Sequence, residues 1–169
     1  MPRETVYGFR AVTEADMPLL ASWLEQPHAV EWWGDPAQGL DEIRQAMADV
    51  GVEPLIVELD GRPIAYLQSY DPHMEDDHPY ADQPFGTLGI DITIGDPDLL
   101  GKGHGTAIVR QFCRQLFDEG APRIVIDPDP TNARAIRAYE KAGFRFVDFR
   151  ESIYGPARFM ALDAPEETV

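Results

Sequence analysis

The densest chemistry in this chain lies in Leu99-Leu100-Gly101-Lys102-Gly103-His104-Gly105-Thr106. Three glycines in five residues let a backbone turn tightly and approach a ligand closely. The stretch follows a strand-like run and opens a helix-like one. Its freed amides and the helix dipole therefore favour a phosphate group, and Thr106 can add a hydroxyl in the first turn. Two common phosphate motifs do not fit. A P-loop needs four residues between its first Gly and a Gly-Lys-Ser/Thr. The dinucleotide fingerprint needs Gly-x-Gly followed by x-x-Gly inside a βαβ unit. On these residues alone, a plain strand-to-helix connection stays open as the alternative.

The elements that must position this loop can be read from periodicity. Thr5–Val12 alternates as a strand. Thr13 to Asp16 has capping-box form, and Met17, Leu20, Trp23 and Leu24 follow at helical spacing. Leu40–Val50 is a second amphipathic helix. Leu55–Leu59 and Pro63–Tyr70 flank Asp60-Gly61 and predict a hairpin. Asp71–Pro84 is a polar loop, Thr87–Ile94 a strand, and Gly103–Glu119 a helix with Ile108, Phe112 and Leu116 on one face. Arg123–Asp127 is a short strand, and Thr131–Ala142 a helix closed by Gly143. Phe144–Arg150 and Ile153–Leu162 are two last strands around a turn near Tyr154-Gly155-Pro156. The predicted order is β-α-α-β-β-β-α-β-α-β-β. That is an α+β class with a mixed, mainly antiparallel sheet and helices on both faces.

Composition bounds the class. The 169 residues are expected to form a single domain, 1–169, and 44% hydrophobic residues suffice for a real core. No apolar run approaches a membrane span, and the N-terminus has no apolar secretion signal. With one cysteine, Cys113, no internal disulfide can form, so a cytoplasmic location is expected. Cys113 lies on a helix stripe and reads as a buried apolar residue. Fourteen basic residues against 30 acidic give a net charge of −16. Such a surface repels nucleic acid and anionic membranes and attracts cations, or simply keeps the protein soluble. His28, His73, His78 and His104 show no metal-ligand spacing, so no metal is expected.

The glycine loop resembles the acyl-CoA pyrophosphate loop of the GNAT superfamily of N-acetyltransferases, [Q/R]-x-x-G-x-[G/A]. Gly103 and Gly105 match its two small positions, while Leu100 departs from the usual Gln or Arg. A second stretch, from Asn132 through Ala135 and Tyr139 to Gly143-Phe144, matches another pattern of the same superfamily, N-x-x-A-x-x-x-Y-x-x-x-G-F. The resemblance implies a GNAT fold and acetyl-CoA as co-substrate. It implies cofactor contacts from Ile92, Ile94, Gly101, Lys102, Gly103, His104, Gly105, Thr106 and Asn132. In that family the Asn contacts the pantetheine arm and the Tyr hydroxyl sits near the thiol. Tyr139 would thus protonate the departing thiolate, a task a phenol suits; its alternative is packing beside Ile136.

Val30 to Gly34, Gln68-Ser69-Tyr70, Gly89-Ile90-Asp91, Asp127-Pro128 and Ala138 to Phe144 together resemble aminoglycoside 6′-N-acetyltransferases, a group tied to antibiotic resistance. This resemblance implies a small cationic amine as acceptor. Asp91 becomes the candidate base, because an ammonium must lose a proton before it can attack; its alternative is a hydrogen-bonded Asp at a strand edge. Asp127 either binds a second amine or is a turn residue before Pro128. Gln68, Tyr70, Glu75, Asp76 and Asp82 fall where the family binds its acceptor, with a solvated acidic loop as the alternative for the last three. Trp32 and Trp33, placed between two helices, either wall a sugar site or join the core. Rival readings are an acyltransferase of siderophore or lysine-type amines, a peptide N-acetyltransferase, and a non-catalytic acyl-CoA-binding module. A monomer or a homodimer is expected, with no nucleic-acid or membrane partner.

Overall fold

Alternating apolar residues build a seven-stranded sheet in the computed structural model, which describes residues 5–152 and 154–166. The strands are β1 (Tyr7–Ala11), β2 (Val52–Leu59), β3 (Arg62–Tyr70), β4 (Leu88–Ile94), β5 (Arg123–Ile126), β6 (Arg145–Ser152) and β7 (Gly155–Asp163). Their spatial order is β1-β2-β3-β4-β5-β7-β6, antiparallel throughout except for β4 against β5. The helices are α1 (Met17–Leu24), α2 (Pro27–Trp33), α3 (Pro36–Ala48), α4 (His104–Asp118) and α5 (Ala133–Ala142). Ile153, expected to start the last strand, lies outside the described residues.

Period-two alternation sorts the sheet's side chains onto two cores. Leu55, Val57, Ala65, Leu67, Ile90, Ile124 and Met160 point to α4 and α5. There Ile108, Phe112 and Leu116 are buried along one stripe, each contributing about 2 kcal/mol by leaving water. Ile56 and Tyr66 point the other way, to Met17, Leu20, Trp23, Leu24 and Ile43 of α1 and α3. Helices on both faces follow from this split.

Local signals account for most boundaries. Asp60 and Gly61 both adopt positive φ, 53° and 79°, the requirement of a two-residue type I′ hairpin turn. The Thr13–Asp16 capping box is present, and Arg10 grips the Asp16 carboxylate through two bonds of 2.8 and 2.9 Å. Asn132 caps α5, and Gly143, at φ 110°, closes it.

The structure adds one helix, so the order becomes β-α-α-α-β-β-β-α-β-α-β-β. Trp32 and Trp33 lie on α2 itself rather than between helices. This helix is seven residues long, starts at Pro27 after an extended Gln26, and has no side-chain cap. Pro27 supplies the preset φ that a capping residue would otherwise help to fix. The next helix, α3, starts four residues earlier than its apolar periodicity predicts, because Asp35 caps it and Pro36 opens it.

Candidate functional site

The sheet parts at its one parallel seam. Strands β4 and β5 pair only at Leu88–Ile124 and Gly89–Val125. Beyond that rung β5 soon ends and the chain enters Asp127-Pro128, then Pro130, where proline cannot donate to a ladder. Ile90 to Ile94 continue without a neighbour on that side. The Gly95 amide donates to the Ile64 carbonyl on β3. Alternation then turns the amides of Ile92 and Ile94 into the gap. The Ile94 carbonyl also faces the gap, and the His28 imidazole donates to it from Nε2 at 2.6 Å. A carbonyl only accepts, so Nε2 carries the proton; Nδ1 is buried and unpaired.

Two carboxylates flank the gap. Asp91 lies two residues past Gly89 and Asp127 two past Val125, so both project from the sheet face opposite α4 and α5. Gln68, the cross-strand partner of Asp91, donates to it at 2.9 Å, and Tyr66 donates to the Gln68 carbonyl oxygen at 2.6 Å. The Tyr80 hydroxyl donates to Asp127 at 2.5 Å. Burial raises the pKa of Asp91, partly offset by the Gln68 bond. Burial, then the charge of Asp91, pushes Asp127 up to about 7, against the pull of the Tyr80 bond. Among the described residues no Lys, Arg or His forms an ion pair with either carboxylate.

Tyr139 on α5 approaches the same place from the opposite layer. Burial, followed by the charges of Asp91 and Asp127, raises its pKa and keeps it a proton donor. Tyr70 lies across Gly89, where an added Cβ would overlap its ring. Burial first, then Asp127 and Asp91, raise the Tyr70 pKa too. The structure therefore brings Asp91, Asp127, Gln68, Tyr70 and Tyr139 together.

The glycine loop sits at the open end of β4. Gly101 and Gly103 hold φ of 73° and 85°, and Gly103 caps α4 in the left-handed conformation that glycine allows. The first α4 bond runs from the Ala107 amide to the Gly103 carbonyl. From Gly101 to Thr106, no amide has an acceptor among the described residues, leaving a nest of donors at a helix N-terminus. Residues 101–142 hold seven of the chain's 14 Lys and Arg, against five acidic residues. This segment is thus locally basic in a strongly acidic chain.

Several expected side-chain roles change. The Thr106 hydroxyl donates to the Ala138 carbonyl at 3.1 Å, tying α4 to α5 instead of reaching a phosphate. The His104 ring is held by the Tyr7 hydroxyl at 2.7 Å, so only its amide faces the nest. Asn132 spends its oxygen on the Ala135 amide at 3.3 Å and keeps only its amino group free. Asp82 is gripped by Arg150 through two bonds of 2.9 and 3.0 Å and is not a free acceptor ligand. Glu75 is exposed at the rim, 3.9 Å from His78, and Asp76 is exposed with no side-chain partner described. Trp33 packs edge-on against Tyr66 at 5.7 Å, while Trp32 stays 39% exposed. Lys102 is exposed beside the nest. Cys113 is buried, its thiol pushed up to about 12 by burial, which makes it inert.

Sequence reasoning missed Tyr80, Tyr66 and the His28 contact. Tyr66, Gln68 and Tyr70 do stand at period two on one strand, a legible row of polar tips on one face. Tyr80 lies in an irregular loop and carries no such signal.

Known proteins share this fold. The chain matches the Acetyltransferase (GNAT) domain over residues 12–151. It is 39% identical over 165 residues to aminoglycoside N(6′)-acetyltransferase type 1 of Klebsiella pneumoniae, covering 89% of this chain and 80% of that protein. It is 28% identical to the lysine N-acyltransferase MbtK of Mycolicibacterium paratuberculosis, over 94% of this chain and 74% of that one. Its fold superposes on the crystal structure of aminoglycoside acetyltransferase AAC(6′)-Ib in complex with coenzyme A and kanamycin. That match has a TM-score of 0.84 and 36% identity, and covers 94% and 95% of the two chains.

Proposed function

Because the chain belongs to the GNAT acetyltransferase family, we propose that it acetylates an aminoglycoside, at the 6′-amine, with acetyl-CoA as donor. The observation that carries the acceptor is the facing pair Asp91 and Asp127, two half-buried, desolvated carboxylates that no cation of the described chain neutralises. Buried charges are normally paired. A polyamine sugar supplies the missing partner, and the AAC(6′)-Ib relative is solved in complex with coenzyme A and kanamycin.

The residues fit the donor as well. The open amides of Gly101 to Thr106 suit its pyrophosphate, and the gap between β4 and β5 suits its extended arm. The co-substrate supplies the acyl group as a thioester. Asp91 takes the proton the acceptor ammonium must lose, and its raised pKa suits that task. The gap-facing amides of Ile92 and Ile94 hydrogen-bond the acetyl oxygen as charge develops on it. The new C–N bond forms as the C–S bond breaks, and Tyr139 protonates the sulfur. Of the two protons the nitrogen sheds, one replaces the Tyr139 proton and the other leaves to water through Asp91. Asp127 holds a second amine of the acceptor. The enzyme acts as a monomer or a homodimer, and the cytosol provides the donor.

The test is thiol release from acetyl-CoA across a panel of amines. Efficient turnover of kanamycin-like compounds supports the reading. Their inertness beside rapid acetylation of lysine derivatives, hydroxylated diamines or peptide N-termini overturns the acceptor and leaves the donor half standing.

A further inference from the structure

Tyr80, from the loop between β3 and β4, reaches Asp127 with its hydroxyl. It is 1% exposed, its ring lies 4.5 Å from Phe159, and His78 flanks it at 5.2 Å. The Arg150 guanidinium covers both rings, 5.5 Å from Tyr80 and 4.2 Å from Phe159. It also holds the Pro79 carbonyl at 3.0 Å and the Asp82 carboxylate, so the loop is pinned to β6 on either side of Tyr80. A phenylalanine would satisfy all of this packing. The hydroxyl has one described partner, Asp127 Oδ2, which leaves Oδ1 open to a ligand.

The surroundings of Asp127 give that bond its weight. Asp91 faces it from β4, Tyr139 from α5 and Tyr70 from β3, with Glu75 farther out beside Tyr70. Arg150 of β6 reaches the Tyr80 ring but is engaged by Asp82 and Asp148. Arg158 of β7 lies over Phe146 and Phe149. Tyr80 is thus the only described side chain that donates a hydrogen bond to Asp127.

We propose that Tyr80 is a positioning residue for the acceptor: its hydroxyl keeps the Asp127 carboxylate ionised and oriented, with one oxygen reserved for the acceptor's second ammonium. The proposal rests on Asp127 as an acceptor ligand. A hydrogen bond into a charged group favours that charged form. Removing it hands Asp127 back to burial and to the repulsion of Asp91, so the cation finds a protonated, misplaced carboxyl more often.

The experiment compares Tyr80→Phe, Asp127→Asn and the double variant, with a kanamycin-like acceptor and acetyl-CoA. Tyr80→Phe should raise the acceptor KM about 10-fold while kcat stays within about twofold, the pattern of lost ground-state binding. The KM for acetyl-CoA should not move. The acidic limb of kcat/KM for the acceptor should shift to higher pH by about one unit, the scale of one charge-assisted hydrogen bond. The double variant should match Asp127→Asn. If the Tyr80→Phe profile overlays the wild type while Asp127→Asn still raises KM, Tyr80 is a packing residue and the reading of Asp127 survives. If Asp127→Asn also binds acceptor normally, both fall. Nuclear magnetic resonance on the unsubstituted protein gives a check that does not depend on a variant folding. A slowly exchanging, far-downfield Tyr80 hydroxyl proton that weakens as Asp127 is protonated supports the proposal; its absence overturns it.

Discussion

Asp91 on β4 and Asp127, one residue past the end of β5, hold matching positions where the two chains separate, each two residues beyond the Gly89–Val125 rung. In a continued sheet they would be neighbours on one face. The parting of the strands opens room between them and leaves both carboxylates desolvated, with no ion-pair partner among the described residues. Two such charges cannot both ionise cheaply in an apolar site. Without a bound acceptor the pair therefore favours a shared proton, and a polyamine that enters replaces it.

This has a consequence for the stability of the unliganded protein. The folded pKa of Asp127 is raised, by burial and then by Asp91, to about 7. Its contribution to stability is fully present below the unfolded value and is lost as pH rises through about 7. Asp127→Asn should match the wild type near pH 4 and exceed it at pH 8, by about 1–2 kcal/mol. Urea melts at the two pH values measure this. A variant less stable than wild type at pH 8 would mean that a cation already pairs with the carboxylate.

The two carboxylates should separate kinetically. Asp91→Asn removes the proton acceptor and should lower kcat by about 100-fold or more, within the range of one general base. Asp127→Asn should mainly raise the acceptor KM. Since only ionised Asp127 holds an ammonium, the wild-type acceptor KM should climb as pH falls below about 7. Raised salt should weaken capture further by screening the −16 charge. Steady-state kinetics over pH and salt decide this, and equal kcat losses for the two variants would contradict the division of labour.

Much of this was legible in the chain, for identifiable reasons. Apolar runs between turn signals located all seven strands, although β2, β3 and β5 are buried on both faces and do not simply alternate. Two spaced motifs located the glycine loop and Tyr139. What failed depended on contacts between distant segments. Asp82 reads as one more charge in an acidic loop, yet Arg150, 68 residues away, neutralises it. Thr106 looks free in the first turn of α4, yet Ala138 takes its hydroxyl. Helix α2 carries neither a capping side chain nor the length that makes helical spacing visible. The juxtaposition of Asp91 and Asp127 requires the register of a parallel pair, which local pattern does not encode.

Tyr139 offers a test of the proton inventory. It is 8% exposed, and burial with the two carboxylates raises its pKa, so it stays protonated at working pH. Tyr139→Phe keeps the ring that packs near Phe144, 6.4 Å away, and deletes only the donor. Turnover should fall about 10- to 1,000-fold, with both Michaelis constants little changed. Because a poorer leaving group needs protonation more, the loss should grow with thioesters whose thiols are more basic. A uniform small loss across such donors would reduce Tyr139 to a packing residue.

Gly105 separates what the fold needs from what the ligand needs. Gly101 and Gly103 have positive φ, so substitution there strains the backbone whatever binds. Gly105 lies in the first turn of α4, takes no positive φ, and a Cβ built on it meets nothing within 4 Å. Glycine in a helix is a poor choice for stability; alanine there should leave the unliganded protein as stable, or more so by about 0.5 kcal/mol. A larger side chain such as leucine would still fit the empty structure but would project over the open amides of Gly101 to Thr106. The wild type at acetyl-CoA concentrations near 100 times Kd should gain about 2.7 kcal/mol. Gly105→Ala should keep part of that gain and Gly105→Leu should lose most of it, with neither losing stability in the absence of ligand. Thermal melts with and without acetyl-CoA measure both quantities at once. A Leu variant that still gains the full ligand shift would show that the pyrophosphate does not lie over this turn.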